Sequence, residues 1–230
     1  MSQKKFEANY DEAKVPEYEL PEIVGEVDGS FEAIWAKRRS ELLQAFGEQM
    51  YGFQPKLPFK TSFEKLEEGS SCDGKALRQQ YRITIKTEAG SHSIDLLIFT
   101  PANAKQAVPT FLGLSFFGNH TVSDDPEITI TDAWCRSSKD KGVVDSKATE
   151  KGRGTSKSRW PIEMIVDAGY GVATCYCGDI DPDFHDEFQN GVHALFPKFV
   201  PGTDHPDRWG TISAWAWGLS RMLDCLDEVV

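Results

Sequence analysis

Positive charge is scarce in this chain: 25 Lys and Arg stand against 36 Asp and Glu, for a net charge of −11. Such an acidic surface repels phosphate backbones, which argues against nucleic acid as a partner. Long apolar runs are absent too, and no stretch is hydrophobic enough to span a bilayer. Lys4 and Lys5 near the start are not followed by an apolar segment, so no signal peptide is visible. The chain is therefore cytoplasmic, or it has been separated from an export signal. Five scattered cysteines are too few for a disulfide-stapled fold. No H-E-x-x-H and no zinc-type Cys/His spacing occurs, and Gly152-Arg153-Gly154 lacks the third glycine and the preceding strand of a phosphate loop. The nucleophile elbow G-x-S-x-G is missing. Gly218-Leu219-Ser220-Arg221 approaches it, but Met222 occupies the fifth position and the segment reads as helix, so Ser220 is not a nucleophile.

What is present reads as a globular α/β domain, with 40% hydrophobic and 27% charged residues. Residues 1–26 are polar, contain Pro16 and Pro21, and are expected to form an extended arm, leaving 27–230 to a single domain. Ser30 can cap a helix that carries Phe31, Ile34, Trp35, Leu42, Leu43, Phe46 and Met50 at helical spacing, with Gly52 past its end. Tyr81, Ile83 and Ile85 alternate with polar residues, Glu88-Ala89-Gly90 turns, and residues 94–99 form a second strand, which together predict an antiparallel hairpin. Residues 110–117 are nearly all apolar, as in a strand covered on both faces. Residues 137–159, rich in Lys, Ser and Gly, read as a long surface loop. Pro161 and Gly169 bracket a short helix, residues 170–176 read as a buried strand, and Trp209, Ile212, Ala216, Leu219, Leu223 and Leu226 mark a long helix capped by Asp207. This order predicts a mixed sheet with an antiparallel edge hairpin and a parallel centre, sandwiched between helices.

Several residues invite a functional reading. Asp179-Ile-Asp181-Pro-Asp183 suggests calcium, but Phe184 stands where an EF-hand needs glycine and Asn190 where it needs glutamate. Capping of backbone amides or pairing with arginine is the expected role of these carboxylates. Cys175 and Cys177, two apart on a predicted strand, should share a face as small buried residues. His120 differs from the other histidines because it follows a predicted strand through Phe116-Phe117-Gly118-Asn119. In α/β-hydrolases this loop lines the active site and can donate an oxyanion-hole amide; the alternative is a plain turn in which Asn119 bonds its own backbone. Among the tryptophans, Trp209 suits the helix core and Trp160 is the better candidate for a sugar-binding surface, since sugar C–H groups pack on aromatic faces.

Ordered blocks of sequence carry a family resemblance. They are Tyr18-Glu19-Leu20-Pro21, Trp35, Arg38-Arg39, Tyr51-Gly52 and Pro55; residues 113–122 with Gly118-Asn119-His120-Thr121-Val122; Arg153-Gly154 and Arg159-Trp160-Pro161; residues 169–174 and 178–184; and Trp209-Gly210 with residues 214–221. Together they resemble carbohydrate esterase family 15, the glucuronoyl esterases, with a departure at Cys177, where the family usually has an aromatic residue. The resemblance implies an α/β-hydrolase three-layer sandwich, here incomplete on its carboxyl-terminal side. It also implies a metal-free serine esterase cleaving glucuronic acid–lignin alcohol esters of glucuronoxylan, secreted or periplasmic, and monomeric at full length. In that family the nucleophile lies in a G-H-S-R-x-G-K elbow, followed later by an acid and a histidine. No position here matches those residues, so no catalytic residue is assigned, and the 230-residue chain alone is expected to be inactive. Phe117, Asn119, His120 and Trp160 are the substrate-binding candidates, with no cofactor or metal expected. The alternatives are an acetyl xylan or other carbohydrate esterase of the same fold, or a non-catalytic carbohydrate-binding remnant.

Overall fold

A computed structural model describes residues 8–22, 24 and 29–229. The chain divides into two compact units, Met1–Ala45 and Phe46–Val230. The expected arm over 1–26 falls partly outside the described residues; residues 8–22 are solvent-exposed, with one 3-10 turn at Glu12–Lys14. Helix α1, Phe31–Phe46, begins where Ser30 predicts it, the Ser30 hydroxyl accepting the Ala33 amide at 3.4 Å.

The second unit opens with a π turn, Gly47–Tyr51, closed by Gly52 at φ +76°. Gly52 has a further duty: a Cβ there would collide with the Arg208 carbonyl, because Gly52 bridges to Trp209. The sheet contains β1 (Lys60–Ser71), β2 (Ala76–Thr87), β3 (Gly90–Pro101), β4 (Thr110–Ser115) and β7 (Gly171–Tyr176), in the order β1-β2-β3-β7-β4. The predicted hairpin is present, with β2 and β3 antiparallel around Glu88-Ala89. β3 also pairs antiparallel with β7, while β4 and β7 run parallel.

β3 is a central strand. Ile94, Leu96 and Ile98 pack on one face with Tyr81, Ile83 and Ile85, and Leu97 and Phe99 pack on the other with Val122, Ile128, Ile162 and Val166. Helix α2, Ile162–Asp167, covers the second face. The first face is covered by α4, Thr211–Val229, and by the turn Gly191–Leu195, and the short helix α3, Cys177–Ile180, leads off β7. Helix, sheet and helix make the expected three layers.

Four expectations need correction. Among the described residues β4 is the end strand of the sheet rather than a mid-sheet strand covered on both faces, and Phe111 is 59% exposed. α4 starts at Thr211 after Gly210, so Asp207 does not cap it and Trp209 lies outside it, though fully buried. Its buried face is Ala214, Trp217, Gly218, Met222 and Cys225, rotated from the predicted stripe, which leaves Ile212 and Leu223 more than half exposed. Residues 137–159 are no simple surface loop. They contain the small hairpin β5 (Val143–Val144) and β6 (Lys147–Ala148), and Val143, Gly152, Gly154 and Ser156 are buried.

Exposed Phe111, Ile212 and Leu223, together with a β4 edge unpaired among the described residues, favour association. The purified chain is expected to self-associate as concentration rises in sedimentation velocity, and Ile212→Lys with Leu223→Lys to reduce this. A monodisperse monomer across the concentration range would contradict it.

Candidate active site at the ends of two parallel strands

Loops at the carboxyl ends of parallel strands are where α/β sheets place their sites. Here these are residues 116–121 after β4 and 177–184 after β7. Gly118 sits at φ +103°, and a Cβ on it would lie 2.9 Å from the His120 ring, so only glycine lets the loop fold back this tightly. The 3-10 turn Asn119–Thr121 follows, and the Thr121 hydroxyl donates to the Gly118 carbonyl at 2.8 Å.

Asn119 does not bond its own backbone, as a plain turn would have it. Its Nδ2 donates to the Asp95 carbonyl on β3 at 2.9 Å, and its Oδ1 accepts the Ser115 hydroxyl at 3.4 Å. The side chain thus fastens the loop to the sheet. His120 is fully buried, and neither ring nitrogen finds a hydrogen-bond partner among the described residues. Burial, reinforced by nearby Arg153, pushes its pKa down to about 4, so the ring is neutral. The His120 and Thr121 carbonyls accept the Gly154 and Ser156 amides at 3.0 and 2.8 Å, stitching residues 150–156 over the loop. Phe117 is half-buried against Tyr176 and Cys177, with the Lys141 ammonium 5.8 Å from its ring centre. Trp160 lies apart from these three, on the α2 face, beside Gly113 of β4.

The loop after β7 carries the three carboxylates in separate environments. Asp179 is half-buried, and its loss of solvation raises its pKa to about 7; it accepts the Thr131 hydroxyl at 2.7 Å. A small cleft joins Asp179 to Asn119, Asp95 and Thr131, and Asp95 is held by a two-pronged pair with Arg82 at 2.8 Å. Asp181 meets Nδ1 of His193 at 2.7 Å. A carboxylate orienting an imidazole is a familiar catalytic device, but both side chains are buried beneath Trp209 and Phe188 and cannot reach a substrate. Asp183 pairs with Arg136 at 2.9 Å, the expected arginine partnership. No group of His, Cys, Asp or Glu among the described residues is arranged to hold a metal.

Cys175 and Cys177 are both buried, but they enter different clusters rather than sharing a face, because the chain leaves the strand for α3 at Cys177. Burial raises the Cys177 thiol to about 12, so it offers no thiolate nucleophile at neutral pH. Ser220 donates to the Ala216 carbonyl at 3.4 Å inside α4, far from any strand-to-helix elbow. Gly218, which gave the segment its false likeness to an elbow, is there because a Cβ would collide with Ile180.

Residues missed in the sequence complete the rim. Phe116 is 55% exposed and meets Trp215 edge to face at 5.9 Å, while the Trp215 indole N–H donates to the Asp181 carbonyl at 2.9 Å. On the other side Trp134 lies 4.5 Å from Phe184, its carbonyl held by the Tyr176 hydroxyl at 2.8 Å. Nothing local in the sequence marks these contacts, since they join segments dozens of residues apart. The assembly sets aromatic side chains around the 116–121 loop, an arrangement able to bind and orient a ligand.

No family profile matches the chain. It is 44% identical over 220 residues to carbohydrate esterase MZ0003 of an unknown prokaryotic organism, covering 94% of this chain and 51% of that protein. Among solved structures it is similar to a promiscuous CE15 esterase from a marine bacterial metagenome, with 43% identity, TM-score 0.79, and 95% of this chain and 55% of that one covered. It is also similar to the glucuronoyl esterase of Solibacter usitatus, with 37% identity, TM-score 0.77, and 94% and 55% covered. The chain spans about half the length of the relatives it matches.

Proposed function

We propose, since the chain belongs to carbohydrate esterase family 15, that it forms the amino-terminal half of a serine-type carboxylic ester hydrolase. The substrate is an ester between glucuronic acid, with or without a 4-O-methyl group, and a lignin alcohol on glucuronoxylan. The observation carrying this reading is identity of 44% along nearly the whole chain, coupled to a loop at the carboxyl end of β4 shaped by Gly118 and anchored by Asn119. In the reaction, serine attacks the ester carbonyl, histidine takes the serine proton and returns it to the leaving alcohol, and water releases the acyl group. Serine, histidine and acid are assigned to the part of the relatives that this chain does not span. The chain's own residues position: the 116–121 loop presents backbone toward the developing oxyanion, and Phe117 and Asn119 shape the wall behind it. His120 supports the loop from inside as a neutral imidazole.

Such an enzyme acts outside the cytoplasm, on the plant-wall polymer, and as a monomer. Among the described residues no helix is long and apolar enough to cross a membrane. An esterase of broader range, including acetyl esters, is the second reading, favoured by the description of one relative as promiscuous.

Purified alone, the 230 residues are expected to release no alcohol from benzyl glucuronate. Turnover above the buffer rate by a homogeneous preparation would sink the assignment of the nucleophile elsewhere. Reading the gene past Val230 gives the companion test: a G-H-S-R-x-G-K run followed by an acid and a histidine is expected, and its absence would favour a non-catalytic remnant.

A further inference from the structure

On the α2 face a groove of about 780 Å³ lies between residues 70–73, residues 122–127 and the start of α2. That volume falls within the usual range for ligand sites, roughly 300–1,000 Å³. Trp160 forms part of its lining, braced by the cluster around Phe99 and Ile162. Hydroxyls of Ser71 and Ser123 and carboxylates of Asp73, Asp124 and Glu163 surround it. Arg78 and Lys157 are the cations of the lining, and both are paired, Arg78 with Glu67 and Asp125 and Lys157 with Asp124.

This lining selects a ligand by chemistry. Carboxylates outnumber cations, so phosphates and uronates are repelled. A braced indole offers an apolar face, and the surrounding carboxylates and hydroxyls accept hydrogen bonds from a ligand rich in O–H donors. A neutral pyranose satisfies both, with its C–H face on the ring and its hydroxyls toward the acids.

We propose that this groove binds a neutral β-linked sugar chain, the unsubstituted backbone of the polysaccharide whose uronate ester is processed. The choice of polysaccharide rests on the esterase reading; the preference for a neutral glycan rests on the groove itself. Trp160 is thereby a glycan-binding residue on the α2 face rather than part of the loop cluster after β4.

The test is isothermal titration of the 230-residue chain with xylohexaose and with an oligogalacturonate of the same length. Saturable binding of xylohexaose is expected, at least tenfold tighter than of the acidic oligomer. Trp160→Ala should weaken it tenfold or more. Because Trp160 also packs in the core, Asp124→Ala supplies a second probe at an exposed position, expected to weaken binding several-fold with an unchanged circular dichroism melting curve. No xylohexaose binding by the folded wild-type chain, equal binding by the folded variants, or preference for the acidic oligomer would overturn the proposal. Ester hydrolysis by an extended protein without xylohexaose binding would reject the groove and leave the esterase reading standing; binding without hydrolysis would do the reverse.

Discussion

Arg78→Ala is expected to destabilise the protein by about 3–5 kcal/mol, the cost typical of breaking a buried ion pair from one side. The Arg78 side chain is 3% exposed. Its guanidinium grips Glu67 with two bonds of 2.6 and 2.9 Å, donates to the Ser70 carbonyl at 3.3 Å, and pairs with Asp125. The hydrogen bonds from Arg78 hold the Glu67 carboxyl below its ordinary range. Burial alone would raise Asp125, yet bonds from Ser71, the Glu127 amide and Arg78 outweigh it and hold that carboxyl low as well. Removing the cation leaves Asp125 charged and buried with part of its support gone. Urea unfolding should show a lower midpoint at similar slope. Arg78→Met combined with Asp125→Leu and Glu67→Gln should recover much of the loss, since Arg78 pairs with both carboxylates and replacing all three leaves no orphaned charge. A loss below about 1 kcal/mol for Arg78→Ala would show that the network contributes little. Its position matters to the site, because Asp125 ties residues 122–127 to the sheet directly after the 116–121 loop.

The second large effect concerns pH, where buried His120 and half-buried Asp179 act in opposite directions. The folded pKa of His120, about 4, lies below its ordinary value of 6.5. The unfolded chain therefore binds a proton first as pH falls, and stability drops from about pH 6.5 downward. Asp179 is the reverse, raised from 3.8 to about 7. Its folded form keeps a proton that the unfolded chain has already released, so stability is lost as pH rises from about 4 to 7. Arg153 and Glu150 face His120 with opposite charges, and Asp95 and Arg82 do the same for Asp179. Between pH 4.5 and 7 the two groups oppose one another, each on the order of 3 kcal/mol. Glu67 and Asp125, with depressed values, lose their contribution only below that window.

Asp179→Asn should unmask His120, giving a protein less stable at pH 4.5 than at pH 7 by about 2–3 kcal/mol. His120→Phe should unmask Asp179 and be less stable at pH 7 than at pH 4.5. Urea midpoints at the two pH values check both signs. Parallel profiles for wild type and both variants would mean that neither group titrates differently on folding.

How much of this could be read in the residues depended on whether the signal was local. The β2–β3 hairpin, the short helix between Pro161 and Gly169, and buried β7 carry their periodicity and punctuation within themselves, and all three are present. β1 escaped notice because Phe63 and Leu66 are its only large apolar residues in twelve, as suits an edge strand that faces water with charged side chains. α4 misled by abundance: Ile212, Leu219 and Leu223 form one stripe and Ala214, Trp217, Met222 and Cys225 another, and only tertiary packing decides which is buried. Asn119 and His120 fall on the loop expected after β4, while Phe117 joins them because the strand stops at Ser115, two residues short of the 110–117 apolar run. That His120 points inward depends on Gly118 and Gly152, which leave room for its ring from different segments. The raised pKa of Asp179 and the Phe116–Trp215 contact have the same non-local origin.

Under the proposed function, these residues supply the scaffold and loop wall of a glucuronoyl esterase. Joining residues 1–230 to the part of carbohydrate esterase MZ0003 that they do not span tests it most directly. The chimera is expected to hydrolyse benzyl glucuronate, and to lose most of that activity on Asn119→Ala while remaining folded. A folded, monodisperse chimera without ester turnover, or one indifferent to the Asn119 change, would contradict the account.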